Sequence, residues 1–369
     1  GTYVKSPFIL PKHAQKPTFL VTSPRFQTQN NCFTVILFFI SIFVKGTDSA
    51  MIHYYAKSEG KLTSLREAET GCWINVSAPI TREEVQEFAD KHAIPIGFLT
   101  DPLDIDERAR YEREDEMRLI ILNTPVLNNN IDKETQAIYM TVPLGIIITI
   151  DHVITVSAFE NPVIDQFLGD KVKHFDPSDD KLFVLQILAH NIQHYLNGLK
   201  QLNHKRNVIE KELYASSRNM EIKQLLSIEK SLVYFVNSLY AIELLAMKMK
   251  RTDFLQIRDD EDKMDLFEDI IIDNSQALDM AKVYTDILGG TMDAYASIIS
   301  NNLNLVMKRL TTITIVLMIP TLIASFFGMN VKIPYLSTEH DYSFVIIIVI
   351  SVLMSGLTSW FFRKNDLSK

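Results

Sequence analysis

Two uninterrupted apolar runs near the C-terminus decide what this chain can fold into. Leu310 to Phe327 is 18 residues without a charge, and Phe344 to Phe362 is another 19. As helices they extend roughly 27 and 28 Å at about 1.5 Å per residue, which matches the hydrocarbon core of a bilayer. The alternative, two buried helices of a soluble core, is the weaker reading. Lys308 and Arg309 precede the first run, and Arg363, Lys364 and Lys369 follow the second. The connecting "VKIPYLSTEHDYS" holds one Lys against Glu339 and Asp341. The positive flanks place both ends of the pair in the cytoplasm, as a multi-pass protein of the cell's inner (plasma) membrane.

Everything upstream is then expected to be cytoplasmic, which agrees with only two cysteines, Cys32 and Cys72, and no disulfide framework. A net charge of −8 argues against nucleic acid and towards cations. Residues 1–50 are rich in Pro, Thr, Gln and Asn. Their one apolar run, "FTVILFFISIFV", has 12 residues and is too short to span. They read as an upstream leader or appended extension, disordered by composition, with Met51 as the natural start; a signal-like or membrane-surface segment and a third span are the alternatives.

Residues 51–178 mix β-rich runs such as "AIYMTVPLGIIITI" and "HVITVSAFE" with helical punctuation in "TREEVQEFADKHAI", where Thr81 and Glu84 stand in capping-box positions. This reads as a cytoplasmic α/β domain. Residues 179–261 carry long helical periodicity with a polar break near "ASSRN", a helical hairpin. From Asp262 no Pro intervenes until Pro320, so a single helix over 262–327, roughly 100 Å long, can run into the membrane. An outer loop over 328–343, a second span over 344–362 and a basic tail over 363–369 complete an α+β membrane protein.

Heptads numbered with Asn304 as a and Met307 as d give Asn304, Met307, Thr311, Thr314, Met318, Thr321, Ser325 and Gly328 along one line, the small or polar members of the segment. Hydroxyls gathered on one seam fit close helix packing or a shared aqueous path. Upstream, the d positions are Ser300, Asp293, Asp286 and Asp279, and the a positions Ser297, Gly290, Val283 and Gln276. Carboxylates at successive d positions would repel across a tight seam, so the helices are expected to surround something wet and cationic. An exposed acidic face is the alternative. Gly328 is expected to take the positive φ that ends a helix, with the Asn330 amide just beyond the membrane, where it suits the hydration shell of Mg²⁺, an ion that gives up its water reluctantly.

The stretch Asn304 to Asn330, "NLVMKRLTTITIVLMIPTLIASFFGMN", followed by a second span and a basic tail, closely resembles the CorA family of magnesium and cobalt transporters. The resemblance covers about residues 51–369 and implies a funnel-shaped homopentamer in a lipid bilayer, with one pore helix per subunit. It further implies a selectivity ring at Gly328, Met329 and Asn330, a hydrophobic constriction at Met318 and Leu310, an inner mouth at Asn304 and Asp293, and Thr311, Thr314, Thr321 and Ser325 along the path. Feedback by cytoplasmic Mg²⁺ is implied through an intersubunit metal site at Asp101 and Asp269. The family's commonest outer loop differs from "VKIPYLSTEHD", where Lys332 and Tyr335 stand near its Met-Pro-Glu-Leu places and the acids come later. Zinc transporters of the ZntB type share the Gly-Met-Asn signature, so Zn²⁺ import is an alternative beside Mg²⁺, Co²⁺ and Ni²⁺.

His190 and His194 lie i, i+4 on an expected helix, with His204 beyond, a spacing able to hold Zn²⁺; ordinary helix-face histidines are the simpler reading. The run Glu107 to Arg118 interleaves both signs and reads as a solvated element. The chain has no G-x-x-x-x-G-K-[ST] loop, nucleophile elbow or C-x-x-C, and an enzyme is not expected. A membrane-anchored protein that senses metal without conducting it is the rival from another class.

Overall fold

The computed structural model describes residues 52–58, 60–128, 137–215, 219–329 and 342–364. Residues 1–50 with Met51, Asn330 with most of the outer loop, and the tail beyond Lys364 lie outside the described residues.

Alternation of period two builds the sheet. Strands β1 (Ile52–Ser58), β2 (Lys61–Leu65), β3 (Trp73–Ser77), β4 (Arg110–Glu114), β5 (Met117–Leu127), β6 (Tyr139–Ile148) and β7 (Val153–Ser157) pair in the order β2-β1-β3-β7-β6-β5-β4. Only β3 with β7 is parallel. Trp73, Ile120, Leu122, Ile146 and Val153 bury on one face, and Ile74, Leu119, Ile121, Ile147 and Ile154 on the other. Helices α1 (Arg82–His92) and α2 (Ile96–Thr100) cover the second face. Helices α3 (Pro162–Leu168), α4 (Asp180–Ala215) and α5 (Asn219–Thr252) cover the first. Trp73 anchors that first core among Phe167, Phe175 and Phe183. Its indole N–H donates to Thr155 Oγ1 at 2.8 Å, so the ring is buried without stranding its polar end.

The capping box forms as its spacing predicts: Thr81 N donates to Glu84 Oε2 at 2.7 Å and Glu84 N to Thr81 Oγ1 at 3.3 Å. The Thr81 backbone N–H first, and then the Thr81 hydroxyl at 2.9 Å, donate to the Glu84 carboxylate and hold it below its usual range. Ala93 closes the helix in the left-handed region at φ 51°.

Helix α5 is long and apolar enough to cross a membrane, a feature the sequence reading did not single out. Leu225, Leu232, Phe235 and Leu239 are instead buried in the same core as α4 and the sheet. Ser231 Oγ accepts from the backbone N–H groups of Ile138 and Tyr139 at 2.8 and 3.0 Å, fastening α5 to the start of β6.

Helix α6 (Glu261–Phe327) runs for 67 residues, about 100 Å at 1.5 Å per residue. Asp260 caps it, accepting from Lys263 N at 3.1 Å. Phe267, Ile270, Asn274, Ala277, Leu278, Ala281, Leu288 and Tyr295 form its buried stripe. These occupy the b, c and f positions of the frame set by Asn304, the side opposite the a/d line. The end of α6 corrects one expectation. Gly328 has φ −78°, a right-handed value, and donates its N–H to Ala324 O at 2.9 Å. A last turn that closes through a right-handed residue needs no positive φ; a Cβ there would approach Ala324 O to 3.2 Å, which is tight without being forbidden.

Helix α7 (Tyr342–Lys364) packs on α6. Pro320 lacks the N–H that would bond to Val316 O one turn back, and the freed carbonyl accepts from Ser355 Oγ of α7 at 3.4 Å. Ser355→Ala is therefore expected to weaken this pairing by about 0.6–1 kcal/mol. In a Pro320→Ala background, where the helix satisfies its own carbonyl, the same change is expected to cost much less. A double-mutant cycle on thermal stability in detergent measures the difference, and equal costs in both backgrounds would remove the link.

Candidate ion path along the long helix

Every a and d position from Gln276 to Gly328 is exposed, including Asp279, Asp286, Asp293, Asn304, Thr311, Thr314, Thr321 and Ser325. Over the first half of α6 this is informative, because α4 and α5 are at hand and cover the other side. Met318 is 63% exposed and lies on the line. Leu310, 57% exposed, stands at the neighbouring g position and flanks it. Among the described residues none of Asp279, Asp286 and Asp293 has an ion pair. Three like charges stand on one uncovered line, with Lys282 exposed beside the first two.

The hydroxyls of the membrane segment solve a solvation problem. Thr314 Oγ1 donates to Leu310 O at 2.8 Å and Thr321 Oγ1 to Leu317 O at 3.2 Å. Their protons are spent on their own backbone, which leaves lone pairs to face outward. A surface of acceptors suits the outward-pointing protons of water around a cation.

The two expected regulatory carboxylates are not brought together within one chain. Asp101 opens a 3-10 turn, Asp101–Leu103, seated against β6 where Gly145 leaves room: a Cβ at Gly145 would come within 2.3 Å of Pro102 Cγ. Arg110 holds the Asp101 carboxylate in an ion pair and also binds Glu107, at 3.0 Å, and Glu112. The mixed-charge run Glu107 to Arg118 thus becomes the β4–β5 hairpin with an arginine at its centre. Asp269 is exposed on α6 and has no ion pair among the described residues. Nothing in the sequence singled out Arg110; a lone cation two residues from Arg108 carries no signal of its partners.

His190 and His194 have different partners. His190 Nδ1 is 2.8 Å from Gln166 Oε1 and its ring lies against Phe167, while His194 bonds to the backbone of Pro125. Burial pushes both below the ordinary histidine value of 6.5, as it does His92. A depressed folded pKa means the unfolded chain takes the proton more readily, so this stabilisation is present above about 6.5 and lost as pH falls. The thermal midpoint is expected to drop between pH 7 and 5, and a flat midpoint would discount all three histidines.

The long helix that runs on into an apolar segment, paired at its end with a second apolar helix, gives the chain a C-terminal pair long and apolar enough to cross a membrane. The chain belongs to the CorA family: the model described as "CorA-like Mg2+ transporter protein" matches residues 68–364. It is 26% identical over 294 residues to a cobalt/magnesium transport protein CorA of Methanocaldococcus jannaschii, covering 79% of this chain and 90% of that one. The complete structure of the CorA magnesium transporter from that organism superposes with a TM-score of 0.71 at 24% identity, over 86% of this chain and 98% of that one. The cytoplasmic domain of ZntB from Vibrio parahaemolyticus superposes at 0.53 with 10% identity, over 68% and 98%. The structural likenesses speak for the fold. The family match makes this chain a divalent-cation transporter.

Proposed function

We propose that the chain is the subunit of a homopentameric, passive Mg²⁺ channel of the cell's inner membrane, with both termini in the cytoplasm and α6 of each subunit lining a single pore. The observation that carries this reading is the uncovered line of carboxylates, amides and hydroxyls along α6, with the chain's own helices packed on the opposite side. Gly328, Met329 and Asn330 form the outer mouth, Thr321, Ser325, Thr314 and Thr311 the hydrated path, Met318 and Leu310 the constriction, and Asn304 with Asp293 the inner mouth. The membrane potential drives entry, at about 2.3 kcal/mol per charge per 100 mV. Magnesium and cobalt are the ions named for the M. jannaschii relative, which supports Mg²⁺ first and Co²⁺ second, with Ni²⁺ as a further candidate. Uptake of isotopic Mg²⁺ into proteoliposomes, competed by Co²⁺, Ni²⁺ and Zn²⁺, tests it. Zn²⁺ uptake that millimolar Mg²⁺ leaves untouched would favour a ZntB-like importer, and no uptake of any ion would favour a non-conducting sensor.

Feedback is proposed to act through Mg²⁺ bridging Asp101 of one subunit and Asp269 of the next, and Arg110 adds a competitor. The guanidinium already compensates the Asp101 carboxylate, so the ion has to displace part of a half-exposed ion pair worth up to about 1 kcal/mol. Asp101→Asn with Asp269→Asn is expected to raise the Mg²⁺ concentration that inhibits uptake, and Arg110→Gln to lower it by up to about fivefold. Inhibition curves of the two variants that move in the same direction would place the sensor elsewhere, with the Asp279, Asp286 and Asp293 line as the next candidate.

A further inference from the structure

We infer that the α6–α7 pair carries a binding site for an anionic phospholipid headgroup, formed by Lys308, Arg309, Arg363 and Lys364. The Ser355 to Val316 hydrogen bond sets the register of the two helices. Lys308 and Arg309 stand eight and seven residues before Val316, and Arg363 and Lys364 eight and nine after Ser355. In an antiparallel pair rising about 1.5 Å per residue, all four fall in one layer about 10–14 Å from that crossing.

Among the described residues the layer has no counter-charge. Residues 294–329 and 342–364 contain no Asp or Glu. None of the four cations has an ion pair among the described residues, and all four are exposed. Arg309 continues the f stripe of Val316 and Ile323, which is the less exposed side of α6 in this segment, so cations from two helices share one layer. Setting orientation needs only a charge bias spread over flanking loops, whereas this arrangement concentrates charge where it repels itself.

The chemistry beside the cations chooses the ligand. Trp360 is 59% and Phe361 52% exposed, and Lys364 Nζ lies 5.1 Å from the centre of the Trp360 ring. A cation over an indole holds the ammonium at headgroup depth while the ring lies against acyl chains. A ligand that satisfies both is anionic at one end and apolar beneath. Inorganic phosphate would make no use of the aromatic shelf, so a phospholipid with net negative charge is the occupant.

The inference rests on α6 and α7 lying in a bilayer and not on which ion passes, so its test reads lipid and not transport. The full-length protein is equilibrated in detergent with equal amounts of phosphatidylglycerol and phosphatidylcholine, freed of excess lipid, and its retained lipid quantified by mass spectrometry. Wild type is expected to retain phosphatidylglycerol preferentially. Arg309→Gln with Arg363→Gln is expected to reduce that preference by roughly tenfold or more, from about fivefold per cation at an anionic surface. Trp360→Ala is expected to lower retention with every charge in place, and millimolar inorganic phosphate to leave it intact. Equal retention of the two lipids by wild type, an unchanged preference in the double Gln variant, or displacement by inorganic phosphate would each overturn the inference. Should the double Gln variant fail to assemble, Arg309→Lys with Arg363→Lys keeps the charge and decides: a retained preference supports the site and a lost one overturns it. A protein that retains phosphatidylglycerol and conducts nothing would refute the channel and leave the lipid site standing.

Discussion

Asn330→Ala is expected to abolish selective Mg²⁺ uptake while the oligomer stays assembled. Helix α6 ends at Phe327, and the chain leaves it through Gly328 and Met329, whose N–H groups still bond back into the last turn at 2.9 and 3.3 Å. Met329, 55% exposed, is the last described residue before the asparagine. In the proposed pentamer that end is repeated around the axis, and each amide exchanges hydrogen bonds with the water shell of an entering ion. Each lost bond costs about 1 kcal/mol, and a whole ring of them compounds to well over tenfold in rate. Alanine removes the polar group without adding bulk, so assembly should be unaffected. Uptake within twofold of wild type, with a normal oligomer by size-exclusion chromatography, would take Asn330 out of the filter.

The long helix was legible because its signal is local and repeated: no proline over 262–319 and an apolar run at the end. Its exposed line was legible for the same reason over the first half of the helix, where one frame numbered from Asn304 separates the covered b, c and f positions, Phe267 to Tyr295, from the uncovered a and d positions. The sheet was only half legible. Runs such as "AIYMTVPLGIIITI" announce buried strands, but the order that sets β7 between β3 and β6 is fixed by contacts far apart in sequence, such as Trp73 beside Val153. Helix α5 shows the converse failure of composition. It is apolar enough for a membrane, yet Leu232 and Phe235 are spent on the core under the sheet. The Asp101 to Arg110 ion pair was hidden because it depends on Gly145 admitting Pro102, a contact across more than forty residues that no spacing rule reports.

Met318→Asp is expected to have the other large effect, leaving Mg²⁺ uptake running at cytoplasmic Mg²⁺ that shuts the wild type. Met318 lies on the uncovered line between Thr314 and Thr321, and its neighbours there present hydroxyl lone pairs with their protons committed to Leu310 O and Leu317 O. A thioether breaks that run of acceptors with a surface to which water cannot bond. Where several such side chains meet around a narrow axis, the column of water empties and the path closes without any atom blocking it. Only a small movement of the helices is then needed to wet or dry it, which suits a gate worked from carboxylates far along the same rod. Aspartate at this position brings a charge that must keep its water in the closed arrangement, so the closed path conducts. The exposure of Met318 in the single chain means the change disturbs no packing within the subunit. Flux assays in proteoliposomes loaded with millimolar Mg²⁺ read the result directly. Full closure of the variant under that load would assign the constriction to another residue, with Leu310 first in line because it flanks the same path at the g position.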